Sequence, residues 1–272
     1  MSESVKTRGY AKINLFLRVL GERGRYHEIE TLQQSVDLFD EITLTKRDDD
    51  LLVSSFPEDN SLVVLKKLKD TYHLGGMQIE IEKHIPIGGG LGGSSADAAA
   101  AALACARLWH LDEKEVRESV KDLFGDIAFQ MIGGTAIARG MGSEVESLPP
   151  LPEYGVLLAF PDKGVSTAEA YRLSHPSDKA GDPKALYDAL CVGEKADYLY
   201  QNDLLSPAIK LNDEIAPLLE MMQNDSALLS GMSGSGSTLF ALYRTRKEAE
   251  IEGEKLTCSH LAVKTIKAFS PQ

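Results

Sequence analysis

At 272 residues, 43% of them hydrophobic, the chain is long enough to bury one large core or two ordinary ones, and it should fold without disulfide or metal staples. Its net charge of -12 excludes a general nucleic-acid surface, which calls for clustered Lys and Arg, so any phosphate site has to be local. Cys105, Cys191 and Cys258 lie far apart with no C-x-x-C pair, which argues against a metal knuckle or a disulfide framework and suits a reducing cytosol.

The chain opens with alternation at Ile13–Leu20, followed by strand patterns at Glu28–Asp37 and Glu41–Thr45, a β-rich beginning. Leu and Val then recur at helical spacing over Ser61–Tyr72 behind Asp59-Asn60, and alternation returns at Met77–Lys83. Ala96–Trp109 is nearly all alanine and leucine, which favours a closely packed helix, and Asp112–Leu123 reads as a second helix. The proline-rich Leu148–Pro152 is the best candidate for a domain boundary, giving domains of 1–150 and 151–272. Beyond it the pattern predicts a strand at Gly155–Phe160 and helices at Ser166–Leu173, Pro183–Leu190 and Asn212–Gln223. Paired strands at Ala227–Gly231 and Ser237–Tyr243, a helix at Lys247–Leu256 and a last strand at Leu261–Phe269 follow. The order predicts an α+β fold whose C-terminal half is a split-βαβ sandwich. Met1–Arg8 holds no apolar leader pattern, and no segment nears the roughly 18 apolar residues of a membrane span, so a soluble, cytoplasmic chain with no membrane partner is expected.

Pro86-Ile-Gly-Gly-Gly-Leu-Gly-Gly-Ser-Ser95 places five glycines and two serines between an alternating strand and an alanine-rich helix. Glycines allow positive φ and close backbone approach to an anion, and the N–H groups and partial positive charge of the helix start complete a phosphate cradle. Such a cradle needs little net positive charge and so suits an acidic chain. A tight structural turn is the plainer reading, but it seldom needs five glycines directly ahead of two hydroxyls and a helix. A Walker loop is excluded because no lysine lies in the segment. Gly88-x-Gly90-x-x-Gly93 formally matches the dinucleotide fingerprint, yet the long β-rich stretch before it and the lack of a following strand ending in an acid leave a dehydrogenase as the minor alternative.

This loop resembles the ATP-binding motif of the GHMP kinases, named for galactokinase, homoserine kinase, mevalonate kinase and phosphomevalonate kinase. Ala11-Lys12-Ile13-Asn14-Leu15 resembles the family's first motif and Ser233-Gly-Ser-Gly-Ser-Thr238 its C-terminal glycine motif, in family order over nearly the whole chain. The resemblance implies two lobes, a β-rich ATP-binding lobe and a C-terminal split-βαβ (ferredoxin-like) lobe, with ATP and Mg2+ as cofactors. Within the family, the run Tyr26-His27-Glu28-Ile-Glu-Thr-Leu points to members that phosphorylate a cytidine-diphosphate-linked polyol. Two departures stand out. Ser94 replaces the loop's third glycine and Ala96 its second serine, and Phe124-Gly-Asp-Ile-Ala-Phe129 lacks the proline usual after the acid.

Transfer to an alcohol needs in-line approach, charge stabilisation and a carboxylate to receive the hydroxyl proton. By the resemblance Asp126 is that carboxylate, and Lys12, costly inside an apolar strand unless paired, pairs with it and steadies the transferring group. The ATP-binding residues are Asn60, Lys83, Pro86, Ile87, Gly88, Gly89, Gly90, Leu91, Gly92, Gly93, Ser94, Ser95 and Ala96. The substrate-binding residues are Asn14, on the same strand face as Lys12, Tyr26 and His27 for a pyrimidine, Tyr171 as its second aromatic, and Gly234 and Ser235 for phosphates. Plainer roles exist for each: a helix-start acid for Asp126, a cap for Asn60, a surface charge for Lys83, core packing for Tyr171, a hairpin turn for Gly234 and Ser235. Magnesium is expected to arrive with ATP, and no side chain is assigned to it as a metal ligand. A GHMP kinase acting on another alcohol, such as mevalonate or homoserine, and a non-catalytic nucleotide-binding protein are the alternatives.

Overall fold

The computed structural model describes residues 3–23, 26–176 and 180–268, with side chains at all of these but 22, 23 and 26. The chain is α+β, and it divides into two compact units. One comprises Met1–Ala11, Leu38–Ile87 and Gly92–Ile132, and the other comprises Lys12–Asp37, Gly88–Leu91 and Gly133–Gln272. Two long strands, β1 (Ser4–Arg23) and β2 (Tyr26–Lys46), contribute residues to both.

In the first unit the end of β2 pairs antiparallel with β4 (Met77–Glu82), setting Ile42 opposite Ile81 and Leu44 opposite Ile79. The short β3 (Leu52–Ser54) runs parallel to β4. Leu44, Met77 and Ile79 send their side chains into one buried cluster with Leu65 and Leu68 of α1 (Asn60–Tyr72) and with Ala98–Ala102 of α2 (Gly93–Trp109). The alanines serve close approach. A Cβ on Gly9 of β1 would lie 2.8 Å from the Ala96 backbone, so strand and helix meet almost main chain to main chain. Cys105 sits in this cluster, and burial pushes its thiol up to about 12, an inert group. Asp112 caps α3 (Glu113–Val120) by accepting from the N–H groups of Lys114 and Glu115, and the four-residue α4 (Ile127–Gln130) follows.

In the second unit the first half of β2 pairs antiparallel with β5 (Thr135–Gly140), which pairs antiparallel with β6 (Glu144–Leu148). A separate four-stranded antiparallel sheet comprises β7 (Gly155–Phe160), β8 (Leu229–Met232), β9 (Leu239–Tyr243) and β10 (Ser259–Lys264), in the order β10-β7-β9-β8. That order, fourth, first, third, second, is the split-βαβ arrangement anticipated from the pattern. The remaining α-helices are α5 (Thr167–Leu173), α6 (Pro183–Cys191), α7 (Leu205–Leu211), α8 (Ile215–Met222) and α9 (Arg246–Gly253), with a 3-10 turn at Asp197–Leu199.

Two expectations are corrected, and two strands are new. The two strands read at 28–37 and 41–45 are one, because the buried Asp40 between them is satisfied by the N–H groups of His84 and Ile85 instead of breaking the strand. The helix read from Asn212 begins at Ile215, because Asn212 ends α7 and accepts from the N–H of Glu214 at 2.9 Å. β5 and β6 were not foreseen; the small residues of Thr-Ala-Ile-Ala-Arg-Gly show no alternation, since the first four are all buried.

Candidate active site

Three segments distant in sequence meet in the second unit. Lys12 and Asn14, two apart on β1, project to one face and are 4% and 2% exposed. The Lys12 ammonium donates to Asn14 Oδ1 at 2.5 Å and to the Gly90 carbonyl at 3.0 Å. Asn14 Nδ2 donates to Thr31 Oγ1 at 2.8 Å, and Thr31 donates onward to the Phe16 carbonyl at 2.6 Å, so the amide is locked in one orientation. From the C-terminal glycine motif, Ser233 Oγ accepts from the Asn14 N–H at 3.2 Å and donates to the Gly90 carbonyl at 2.9 Å. Gly90 O thus serves as the common acceptor of Lys12 and Ser233. Main-chain bonds from Lys12 N to Leu91 O at 2.9 Å and from Thr238 N to Gly89 O at 3.2 Å tie the glycine loop to both other segments.

Close backbone approach explains the glycines at two positions. Gly90 has φ of 77° and a Cβ there would lie 2.2 Å from the Ser233 carbonyl oxygen. Gly234 has φ of 58°, and its Cβ would lie 3.2 Å from Asn14 Oδ1 and 3.6 Å from Lys12 Nζ. Ser235, 6% exposed, shares a 2.8 Å hydrogen bond with Thr167 at the start of α5, and Asn202 donates to the carbonyls of Met232 and Gly234. His27 stacks on Tyr171, ring centroids 4.7 Å apart and planes 15° from parallel. The side chain of Tyr26 lies outside the described residues.

In the glycine loop, positive φ recurs at Gly88, Gly90 and Gly92. Gly92 is the N-cap of α2 and makes no side-chain cap, and the first-turn N–H groups of a helix have no intrahelical partners. Ile87 is 77% exposed. Ala96 N–H, by contrast, is already bonded to the Gly92 carbonyl at 2.9 Å.

The first unit holds the remaining residues. Asp126 precedes α4, and its carbonyl accepts from the Gln130 N–H. Asn60 begins α1, but the cap is Asp59, whose Oδ1 accepts from Ser61 N–H; the Asn60 N–H donates to Ser94 Oγ at 3.3 Å. Ser94 Oγ donates to Asp59 Oδ2 at 3.0 Å. Lys83 is clasped between Asp40, 2.7 Å away, and Asp97, both carboxylates fully buried. Burial alone would lower the Lys83 ammonium, but hydrogen bonds and charge from Asp40 and Asp97 outweigh it and hold it above its ordinary value. Burial pushes the Asp97 carboxyl well above the usual range, Lys83 draws it partly back, and Asp40 and Asp59 add to the rise.

The site thus contains Thr31 and Ser233, which sequence reasoning did not single out, although Ser233 opens the glycine motif. For Thr31, the available signal was a hydroxyl inside an otherwise buried strand. Asp40 and Asp59 were missed as partners of Lys83 and Ser94, since nothing local links them.

Two family models match the chain, GHMP kinases N terminal domain over residues 60–134 and GHMP kinases C terminal over residues 184–262. Over 254 residues the chain is 39% identical to the 4-diphosphocytidyl-2-C-methyl-D-erythritol kinase of Desulfitobacterium hafniense, covering 89% of this chain and 88% of that protein. The chain belongs to the GHMP kinase family. The kinase of the same name from Pelotomaculum thermopropionicum is 34% identical over 96% of this GHMP kinase and 97% of its own length. A crystal structure of 4-(cytidine 5'-diphospho)-2C-methyl-D-erythritol kinase matches with a TM-score of 0.83 and 31% identity, covering 96% of this chain and 99% of that one. As a GHMP kinase the chain is a phosphotransferase that uses ATP. Among its described residues no helix is long and apolar enough to cross a membrane.

Proposed function

We propose that this chain transfers the terminal phosphoryl group of ATP to the 2-hydroxyl of 4-diphosphocytidyl-2-C-methyl-D-erythritol, a step in non-mevalonate isoprenoid precursor synthesis. One observation carries the reading: kinases bearing that substrate's name are 31–39% identical to this chain over most of its length.

The loop from Pro86 to Ala96 binds the ATP phosphates, through main-chain N–H groups at the α2 start and glycines that let the anion come close. Asn60 and Lys83 serve the ATP side. Asp126 takes the hydroxyl proton and Lys12 steadies the transferring group. The rigid hold on Lys12 by Asn14 and Gly90 supports that role, since a preorganised cation stabilises developing charge without reorganising. Asn14 binds the polyol, Gly234 and Ser235 the substrate phosphates, and Tyr26, His27 and Tyr171 the cytosine. The His27–Tyr171 stack supports an aromatic platform there.

Magnesium neutralises phosphate charge when bound. It prefers phosphate and water oxygens with one or two protein oxygens. The chemistry of the donor set fits an ion carried in on ATP: the loop offers main-chain groups and the Ser95 hydroxyl. The functional domains are 1–150 and 151–272, and the two family matches fall on either side of that boundary. The free Cys105, Cys191 and Cys258 support work in a reducing cytoplasm. The chain's partner is a small molecule and not a membrane, and the net charge of -12 supports the reading that nucleic acid is not a partner either.

Coupled ADP release with magnesium-ATP tests the reading against a panel of the cytidine compound, mevalonate and homoserine. Turnover with the cytidine compound alone is the expected result; turnover only with another alcohol would keep the kinase and discard the acceptor.

A further inference from the structure

The two ends of the glycine loop are joined by side-chain contacts that no role above explains. Lys83 directly follows β4, ahead of the loop, and Asp97 lies in the first turns of α2, beyond it. The Lys83 ammonium donates to Asp97 Oδ2 across the loop and forms an ion pair with Asp40 Oδ2 on β2. Asp40 Oδ1 in turn accepts the N–H groups of His84 and Ile85, the next two residues toward the loop. Gly93 completes the packing: a Cβ there would lie 3.1 Å from the Ile85 side chain and 3.6 Å from Lys83 Nζ. One buried acid–lysine–acid bridge therefore fixes the strand leaving β4, the start of α2 and the end of β2 relative to each other.

Lys83 has little capacity left for a nucleotide. Its two strongest partners are fully buried carboxyl groups, and parting from either would leave a buried acid without the donor that compensates it. Asp97 Oδ1 is buried with no hydrogen-bond partner among the described residues, so this carboxyl depends on the hydrogen bond that the Lys83 ammonium donates to Oδ2.

The geometry points to Lys83 and Asp97 as positioning residues that hold the two stems of the phosphate loop at the spacing ATP binding needs, with Asp40 as their anchor. Neither touches the nucleotide. This inference rests on the reading of that loop as the ATP site, and it replaces the direct contact assigned to Lys83 with an indirect one.

Equilibrium binding of a non-hydrolysable magnesium-ATP analogue to the full chain, with steady-state KM for ATP and for the acceptor, separates the possibilities. Asp97→Leu, which removes the tie but leaves Lys83 on Asp40, should weaken analogue binding and raise the ATP KM by roughly tenfold, the scale of one lost charge-assisted hydrogen bond, while leaving the acceptor KM unchanged. Asp97→Asn keeps an acceptor for Lys83 and should bind within about twofold of the parent. Lys83→Met should match Asp97→Leu, and the double variant should lose no more than either alone, as members of one bridge do. If Asp97→Leu fails to fold, Asp97→Ser, too short to reach Lys83, supplies the same comparison. The inference is overturned if Lys83→Met alone weakens binding while Asp97→Leu or Asp97→Ser leaves it unchanged, since Lys83 would then contact the nucleotide itself, or if no variant changes it. Failure of the unaltered chain to bind the analogue would instead refute the ATP site.

Discussion

Lys12 donates its ammonium proton to the carbonyl of Gly90, 78 residues further along the chain and 3.0 Å away. The same ammonium holds Asn14 Oδ1, so the cation is fixed by groups from two motifs before any substrate arrives. Lys12→Met keeps the buried stem and removes the charge. Turnover should fall by roughly 100-fold or more, the scale of a lost transition-state charge stabiliser, while circular dichroism shows a folded chain. A change below about tenfold would remove Lys12 from the chemistry.

Gly90→Ala tests the loop's approach to the glycine motif. The new Cβ would meet the Ser233 carbonyl at 2.2 Å on a backbone at φ 77°. A loss of about 2–4 kcal/mol in unfolding free energy is expected, from strain plus an overlap with main chain that cannot move aside. Gly88 also has positive φ, but a Cβ there meets nothing within 4 Å, so Gly88→Ala should cost only about 1 kcal/mol. Chemical denaturation of both variants checks the contrast.

Asp126→Asn removes the proposed proton acceptor and keeps the main-chain bond from the Gln130 N–H to the residue's carbonyl. Turnover should drop by roughly 100-fold or more with ATP affinity within a few-fold. Single-turnover kinetics with pre-bound ATP checks that the loss lies in the chemical step.

Tyr171→Ala removes the ring stacked on His27. The acceptor KM should rise by roughly 5- to 150-fold, corresponding to about 1–3 kcal/mol of base stacking, with the KM for ATP unaltered. An unchanged acceptor KM would mean the cytosine is held elsewhere.

The buried bridge predicts a pH dependence of stability. An unfolded aspartate loses its proton near pH 4, whereas burial holds the proton on Asp97 up to about 8 despite the pull of Lys83. Across that window the folded chain retains a proton that the unfolded chain has released, so this contribution is complete at the acid end and is lost as pH rises toward 8. Lys83 is raised despite burial, by Asp40 and Asp97, so its contribution persists through neutrality and is lost only above the ordinary lysine range. Asp97→Asn should flatten the fall in melting temperature between about pH 5 and 8; equal slopes in parent and variant would contradict this.

Much of the fold was legible because its signals are local. The alternation of Met77–Glu82 and the helical spacing behind Asp59 needed only their own residues. Asp40 shows where local reading stops. An acid amid a strand pattern looks like an interruption, and only the later N–H groups of His84 and Ile85 make it tolerable. The motifs themselves could be recognised, but not the network joining them: Asn14 and Ser233 are 219 positions apart. Nor could Lys83 be distinguished from a surface charge, since its partners lie 43 residues before and 14 after it.

Phosphorus NMR of the reaction of the purified chain with magnesium-ATP and 4-diphosphocytidyl-2-C-methyl-D-erythritol is the most direct measurement. A new phosphate-monoester resonance, assigned to the 2-hydroxyl by its carbon couplings and growing in step with ADP, is the predicted result. ADP formation without that ester, or an ester on another hydroxyl, would contradict the proposed reaction.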